Sequence, residues 1–197
     1  MISNIPGISP LARAAAWIED ARAAGAIEPD AMALATSSAV GAPSVRVVLC
    51  RGIDEHGLRF FTNYESRKGV EIAENPRAAA AFHWPALGRQ LRVEGGVERL
   101  PEAESNAYFA SRPRAHQLSA RVSPQSRPIA SFEELEQRAA LEAKNAGTDE
   151  ISRPPSWGGY RLVARAVEFW VQGPGRLHQR IFFELNSGVW IWQHLAP

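Results

Sequence analysis

Five short β-prone runs crowd the first half of the chain: MALATSS from Met32, SVRVVLCRGI from Ser44, LRFFTN from Leu58, AAAAFHW from Ala78 and QLRVEGGVERL from Gln90. Turn signals at Gly41-Ala42-Pro43, Asp54-Glu55-His56-Gly57 and Pro85-Ala86-Leu87-Gly88 punctuate them. Their spacing of roughly eight to fifteen residues suits an antiparallel barrel or sandwich. Strand signals return at Tyr160, and a closing hairpin is expected around Asn186-Ser187-Gly188.

Helices are expected between and around these strands, so the fold class is α+β. Ser9-Pro10 is a helix start, and the alanine-rich stretch to about Ala26 puts Leu11, Ala14, Ile18 and Ala21 on one face. Ser66 to Asn75 reads as a short helix stopped by Asn75-Pro76, and Pro101 opens another that runs to about Ser111. Ser131 followed by Glu134, with Gly147 as the stop, frames a strong helix. The polar stretch from Ala120 to Pro128 reads as a loop too rich in specific polar groups to be a linker.

A chain of 197 residues with 45% hydrophobic content can bury a substantial core, and one domain over residues 1–197 is expected. The net charge of +1 argues against a protein that coats nucleic acid. Of the 22 basic residues only Lys68 and Lys144 are lysines, and arginine favours planar, bidentate contact with phosphate or carboxylate. Cys50 is the only cysteine, which excludes a disulfide framework and a cysteine-cluster metal site. No signal-peptide pattern and no run of roughly 18 apolar residues occurs, so a soluble, cytoplasmic protein is the expectation.

Four segments carry chemistry. In SVRVVLCR, alternation puts Arg46 and Val48 on one strand face, and an inward Arg46 needs an anionic partner. In FFTNYESRKG, Thr62, Ser66, Arg67 and Lys68 surround a helix start, where backbone donors and cations make a phosphate site, although plain capping with a solvated Arg-Lys pair has the same composition. YFASRPRAHQLSARVSPQS supplies Tyr108, Arg112, Arg114, His116, Gln125 and Ser126. In EFWVQGPGRLHQR the Gly173-Pro174-Gly175 turn breaks a strand, and Arg176, His178 and Arg180 are expected at period two on one face of the next. No GxGxxG follows a strand and no GxxxxGK[ST] occurs, which leaves out Rossmann and P-loop nucleotide sites.

Taken in order, RVVLCR, FFTNYESRKG, ENPRAAAAFHW, RQLRVEGGVERL, YFASRPR, VSPQS, SWGGYR, EFW followed by RLHQR, and the terminal LAP resemble the pyridoxine (pyridoxamine) 5′-phosphate oxidase family. The resemblance runs from about residue 10 to the end. It implies an antiparallel split β-barrel with peripheral helices, assembled as a homodimer with FMN at the subunit interface and residues 160–197 completing the site. It also implies oxidation of pyridoxine or pyridoxamine 5′-phosphate to pyridoxal 5′-phosphate, with dioxygen as acceptor and hydrogen peroxide as product. A related FMN oxidase of another substrate, such as the phenazine-pathway members, and a flavin- or pyridoxal-phosphate-carrying module without turnover are the competing readings.

Residue by residue, the resemblance assigns Arg46, Val47, Val48, Leu49, Phe61, Thr62, Arg67, Lys68, Gln90, Gln125, Ser126, Trp170 and Arg180 to FMN. Arg51, Tyr108, Arg112 and His116 fall on the substrate's phosphate, and Arg176 and His178 on its pyridine ring as the catalytic pair; no metal is implied. Arg51 stands where the family usually has lysine, His116 where it commonly has serine, and Gln179 where aspartate commonly follows the RLH motif. The basic, aromatic arm of longer members has no counterpart before Ile8. His116 admits three roles: replacing a hydroxyl donor, blocking the phosphate, or favouring another ligand.

Overall fold

The computed structural model describes residues 9–197; the expectation that no counterpart of the arm precedes Ile8 falls outside them. Helix α1 (Pro10–Ala23) leads into strands β1 (Ala31–Ser37), β2 (Pro43–Leu49) and β3 (Gly57–Asn63). Helix α2 (Arg67–Glu74) precedes β4 (Arg77–Trp84) and β5 (Arg89–Arg99), and three helices follow: α3 (Glu102–Ser111), α4 (Arg114–Val122) and α5 (Phe132–Ala146). The long strand β6 (Trp157–Val171) and the hairpin β7 (Gln179–Asn186) and β8 (Val189–Leu195) complete the chain. Among the described residues no helix is long and apolar enough to cross a membrane.

All eight strands join one antiparallel sheet in the order β2-β1-β4-β5-β6-β7-β8, with β3 paired to β6 off that path. The pairing of β6 makes this possible. Its edge towards β5 is occupied from Tyr160 to Val171. Its opposite edge is divided, with β3 on Trp157–Val163 and β7 on Ala166–Val171. Arg165 has no partner in the β5 register, where Glu94 faces Ala166 and Gly95 faces Ala164. This bulge bends β6 between its two partners. At Gly95 a side chain would run into the Val163 carbonyl, so glycine is required there.

Alternation along the strands selects the buried residues. Leu34, Leu58, Phe60, Phe82, Leu91, Val93, Leu162, Val167 and Phe169 form the centre of the core. Helix α1 closes one side with Leu11, Ala14, Ile18 and Ala21 buried as its periodicity predicts, and Trp17 meets Phe169 edge-on at 4.8 Å. Ser9 takes the N-cap position without a side-chain capping bond, and the helix stops at Ala23, short of Ala26. Helices α2 and α5 carry the serine caps read from sequence: Ser66 accepts from the Gly69 N–H and Ser131 from the Glu134 N–H. At the last hairpin, Ser187 and Gly188 both take positive φ (49° and 83°), the two-residue turn whose twist matches paired strands.

Two segments differ from their sequence expectation. Helix α4 runs over Arg114–Val122, taking in Ala120 to Val122 of the expected polar loop; it starts directly after Pro113, with Gln117 and Leu118 as its buried residues. After β6, the turn consumes more chain than alternation implied: Pro174–Arg176 form one 3-10 turn, with Gly175 at φ 60° and Arg176 at φ 63°. Strand β7 begins only at Gln179, so Arg176 and His178 lie outside it and the three cations do not share a strand face.

A second, smaller core of Phe109, Leu118, Ile151 and Trp157 packs under α3 and α4 against Phe61 and Tyr108. Gly159 lets Phe61 approach: a Cβ there would lie 2.6 Å from Leu100 Cδ1 and 2.7 Å from the Phe61 ring. Gly159→Ala should therefore destabilise the protein by about 1–3 kcal/mol, the usual cost of overpacking, measured as a lowered urea midpoint at unchanged slope.

Candidate active site

A cleft of about 660 Å³ is lined by residues 46–49 of β2, Arg51, Phe61 and Thr62 of β3, Lys68 of α2, Tyr108, Ser111 and Arg112 at the end of α3, Pro113, His116 of α4, Gln125 and Trp157. Arg46, Arg51, Lys68 and Arg112 are among these residues and no carboxylate is. The carboxylates stand behind the cations.

The inner group forms where α2 meets the β1–β2 hairpin. Arg46 donates through Nη1 to the Leu34 carbonyl (3.1 Å) and Thr36 Oγ1 (2.6 Å), and through Nη2 to Ser44 Oγ and Glu71 Oε2 (3.3 Å). The partner that an inward Arg46 requires is thus Glu71, which also accepts from Arg67 Nε at 2.9 Å. Burial alone would raise the Glu71 carboxyl, but hydrogen bonds from Ser44, Thr36, Arg67 and Arg46 outweigh it and hold the group down at about 2. Lys68 Nζ donates to Gln125 Oε1 (2.9 Å), Thr62 Oγ1 (3.1 Å) and Ser66 Oγ (3.2 Å), neutral acceptors all. Burial first, then the Arg46 charge, push the ammonium down to about 8 against the pull of Glu71.

The outer group sits on an aromatic wall. The Phe61 and Tyr108 rings stack at 3.8 Å, and the Tyr108 ring is nearly parallel to that of Trp157 at 6.2 Å. Arg112 lies over Trp157 at 4.6 Å, and its Nη1 is buried with no hydrogen-bond partner. Burial lowers its pKa, and the Arg51 charge adds to that while Tyr108 opposes it. Arg51 is anchored by Asp30, Nη1 to Oδ2 at 2.9 Å. His116 is exposed on the first turn of α4. Arg114, from the same segment, is used elsewhere: it donates to the Ala146, Gly147 and Asp149 carbonyls at the end of α5.

The remaining sequence-predicted residues do not line this cleft. Ser126, beside Gln125, is exposed at φ 70°, and Arg67 points outward from its bond to Glu71. Gln90, Trp170 and Arg180 form a row across β5, β6 and β7, directly opposite one another in register. Arg180 donates to Glu168 Oε1 (2.7 Å) and to the Ala196 carbonyl (2.9 Å). The His178 ring lies 4.6 Å from Trp170, and its Nδ1 accepts from the Gly173 N–H at 3.3 Å, which leaves Nε2 to carry the proton of the neutral ring. Arg176 is exposed on the turn.

Sequence reasoning missed Glu71, Asp30 and Trp157. Glu71 had a visible signal, four residues after Arg67 on a helix; Trp157 stood in the quoted SWGGYR block without a role.

The model described as pyridoxamine 5′-phosphate oxidase matches residues 18–144, and that of the pyridoxine 5′-phosphate oxidase C-terminal dimerisation region matches 157–197. The chain belongs to the pyridoxamine 5′-phosphate oxidase family. The pyridoxine/pyridoxamine 5′-phosphate oxidase of Cupriavidus necator is 50% identical over 189 residues, covering 95% of this chain and 89% of that one. Among solved structures, PhzG from Burkholderia lata, in complex with tetrahydrophenazine-1-carboxylic acid, superposes with a TM-score of 0.93 at 32% identity, covering 98% and 95% of the two chains. An FMN-binding protein of Nostoc punctiforme related to pyridoxamine 5′-phosphate oxidases has the same fold, with a TM-score of 0.77 at 20% identity and coverage of 97% and 100%. The sheet is thus the split barrel of this oxidase family, and FMN is the cofactor. The donor set fits it, since the cleft offers a buried ammonium beside the Thr62 hydroxyl and the Gln125 amide for a phosphate, and a flat aromatic wall.

The depressed Lys68 value has a stability signature. It lies below the 10.5 of the unfolded lysine, so between about 8 and 10.5 the unfolded chain binds more protons and the native state gains stability as pH rises. In flavin-free protein, the urea midpoint of the wild type should gain on that of Lys68→Met between about pH 8 and 10 and keep a constant offset below about pH 7. Parallel curves throughout would contradict the depressed value.

Proposed function

We propose that this chain is an FMN-dependent oxidase that converts pyridoxine 5′-phosphate and pyridoxamine 5′-phosphate to pyridoxal 5′-phosphate. One observation carries the reading: the cleft holds two separate sets of donors, each with two cations. Lys68, Arg46 and the Thr62 hydroxyl suit the phosphate of FMN, while Arg51, Arg112 and His116, beside Tyr108, suit that of the substrate. The orphaned Arg112 Nη1 is the kind of buried donor that an incoming phosphate satisfies.

The two groups of site residues support assembly across a homodimer, in line with the dimerisation region matched over 157–197. Trp157 lines the cleft and Trp170 sits in the row with Gln90 and Arg180, yet both belong to β6. At the usual rise per residue they are roughly 40 Å apart along the strand. The row of one subunit therefore completes the flavin site of the other, with Val47, Val48, Leu49 and Phe61 against the ring, and Gln125 and Ser126 beside the phosphate.

FMN, when bound, supplies the hydride acceptor, which dioxygen reoxidises with release of hydrogen peroxide. The protein's own task is positioning and charge neutralisation. Arg51, Tyr108, Arg112 and His116 hold the substrate phosphate, and the C4′ carbon is thereby fixed at the flavin. Arg176 and His178 orient the pyridine ring, and His178 Nε2 is available for proton movement at the C4′ substituent.

The test is anaerobic mixing of the FMN-loaded protein with each ester, followed by flavin absorbance. Bleaching with either ester is expected; none with both overturns the proposal, and bleaching only with a reduced phenazine carboxylate would favour the activity suggested by the PhzG likeness. Arg176→Ala should lower kcat/KM about a hundredfold with FMN retention nearly unchanged, whereas Lys68→Ala should weaken FMN binding by about tenfold or more. The reverse order would overturn the division of roles.

A further inference from the structure

Two arginines, one lining the inner end of the cleft and one pointing outward beside it, are not free to choose their positions. Arg46 comes from β2 and Arg67 from α2, and both end on one carboxylate, Glu71, which is itself 5% exposed. Thr36 of β1 and Ser44 of β2 donate to the same Oε2, each at 2.5 Å. Glu71 thus ties α2 to the β1–β2 hairpin at the point where Lys68 enters the cleft. Its low pKa keeps it ionised throughout the working range.

We infer that Glu71 is the positioning residue of the flavin-phosphate site, holding Arg46 and Arg67 in place and trimming the local charge to match a phosphate dianion. This rests on the reading that the FMN phosphate lies at Lys68, Arg46 and the Thr62 hydroxyl, with Arg67 at the margin of that site. Arg46 and Arg67 meet one carboxylate, and Lys68 stands nearby on neutral acceptors, so the group carries two net positive charges, the complement of a phosphate monoester near neutral pH. Without Glu71 the Arg46 guanidinium would keep hydroxyl and carbonyl acceptors, and Arg67 would lose the one side-chain anchor it has among the described residues. Glu71 touches neither flavin nor substrate in this scheme and acts only through the arginines.

A simple electrostatic role and a positioning role predict opposite results, because removing the carboxylate adds positive charge yet frees both guanidinium groups. The experiment uses the full-length chain stripped of flavin and titrated with FMN and with riboflavin, which lacks the phosphate, reading flavin fluorescence. Wild type should prefer FMN. Glu71→Gln should lose about tenfold or more of that preference, with riboflavin affinity within about twofold of wild type. Unchanged or stronger preference for FMN overturns the inference, as does an equal loss for both flavins, which would make Glu71 part of the framework alone. Lys68→Ala is run alongside: if it leaves the FMN preference intact, the phosphate does not lie at Lys68, and the underlying reading fails whatever Glu71→Gln does. Should Glu71→Gln fail to fold, Ser44→Ala removes one hydrogen bond to the carboxylate together with one from Arg46, loosening the same arrangement, with about a two- to fivefold loss of FMN preference expected and no loss overturning the inference.

Discussion

The divided edge of β6 is the constraint from which the rest of the architecture follows. A strand has two edges, and β5 occupies one of them through most of the length of β6. The other edge must then be shared, and β3 and β7 take successive halves on either side of the Arg165 bulge. This sharing splits the barrel and carries the chain from the cleft beside Trp157 to the row containing Trp170. It also sets Trp157 and Trp170 near opposite ends of one long strand, the first beside the cleft and the second in the row with Gln90 and Arg180. The C-terminal segment that supplies Trp170 and Arg180 is the one matched as a dimerisation region.

Electrostatics repeats one device at both places. Each arginine cluster is organised by a buried glutamate that takes two guanidinium groups: Glu71 holds Arg46 and Arg67, and Glu168 holds Arg92 and Arg180. Both glutamates are 5% exposed. A buried carboxylate left unpaired would be costly, and so would closely placed guanidinium groups without an anion. Together they form a rigid unit whose outward donors are fixed before any ligand arrives, which is the preorganisation that phosphate recognition benefits from. Lys68 departs from this device: it has neutral acceptors and a depressed pKa, and it gains from an added anion.

Much of this was legible in the residues because the signals were local. Ser66 and Ser131 announce helix starts through bonds three residues long, Ser187-Gly188 fixes a hairpin through its own backbone, and alternation in β1 and β5 marks the buried face. Relations between distant segments were not legible. Nothing in FFTN indicates that it pairs with WGGY across the barrel, and nothing in Thr36 or Ser44 indicates that both point at Glu71. The period-two reading of Arg176 to Arg180 failed for a local reason instead: Gly175 and Arg176 both take left-handed backbone, so the turn extends past the glycines that signalled it. Helix α4 was hidden by its proline start and by the polar composition that its exposed face requires.

The arginine at position 51 gains a rationale from its neighbour. A lysine presents a single ammonium, so a carboxylate bound to it competes directly with a ligand for one charged centre. A guanidinium carries five donors on a planar fork, and the bond from Nη1 to Asp30 occupies one corner while steering the others. Arg51 also lines the cleft, whereas Asp30 does not. The carboxylate therefore restrains the side chain from behind, as Glu71 does for Arg46, and leaves donors for a phosphate in front. On this geometry the departure from the family's usual lysine conserves the charge in the proposed substrate site and converts a mobile ammonium into an oriented fork.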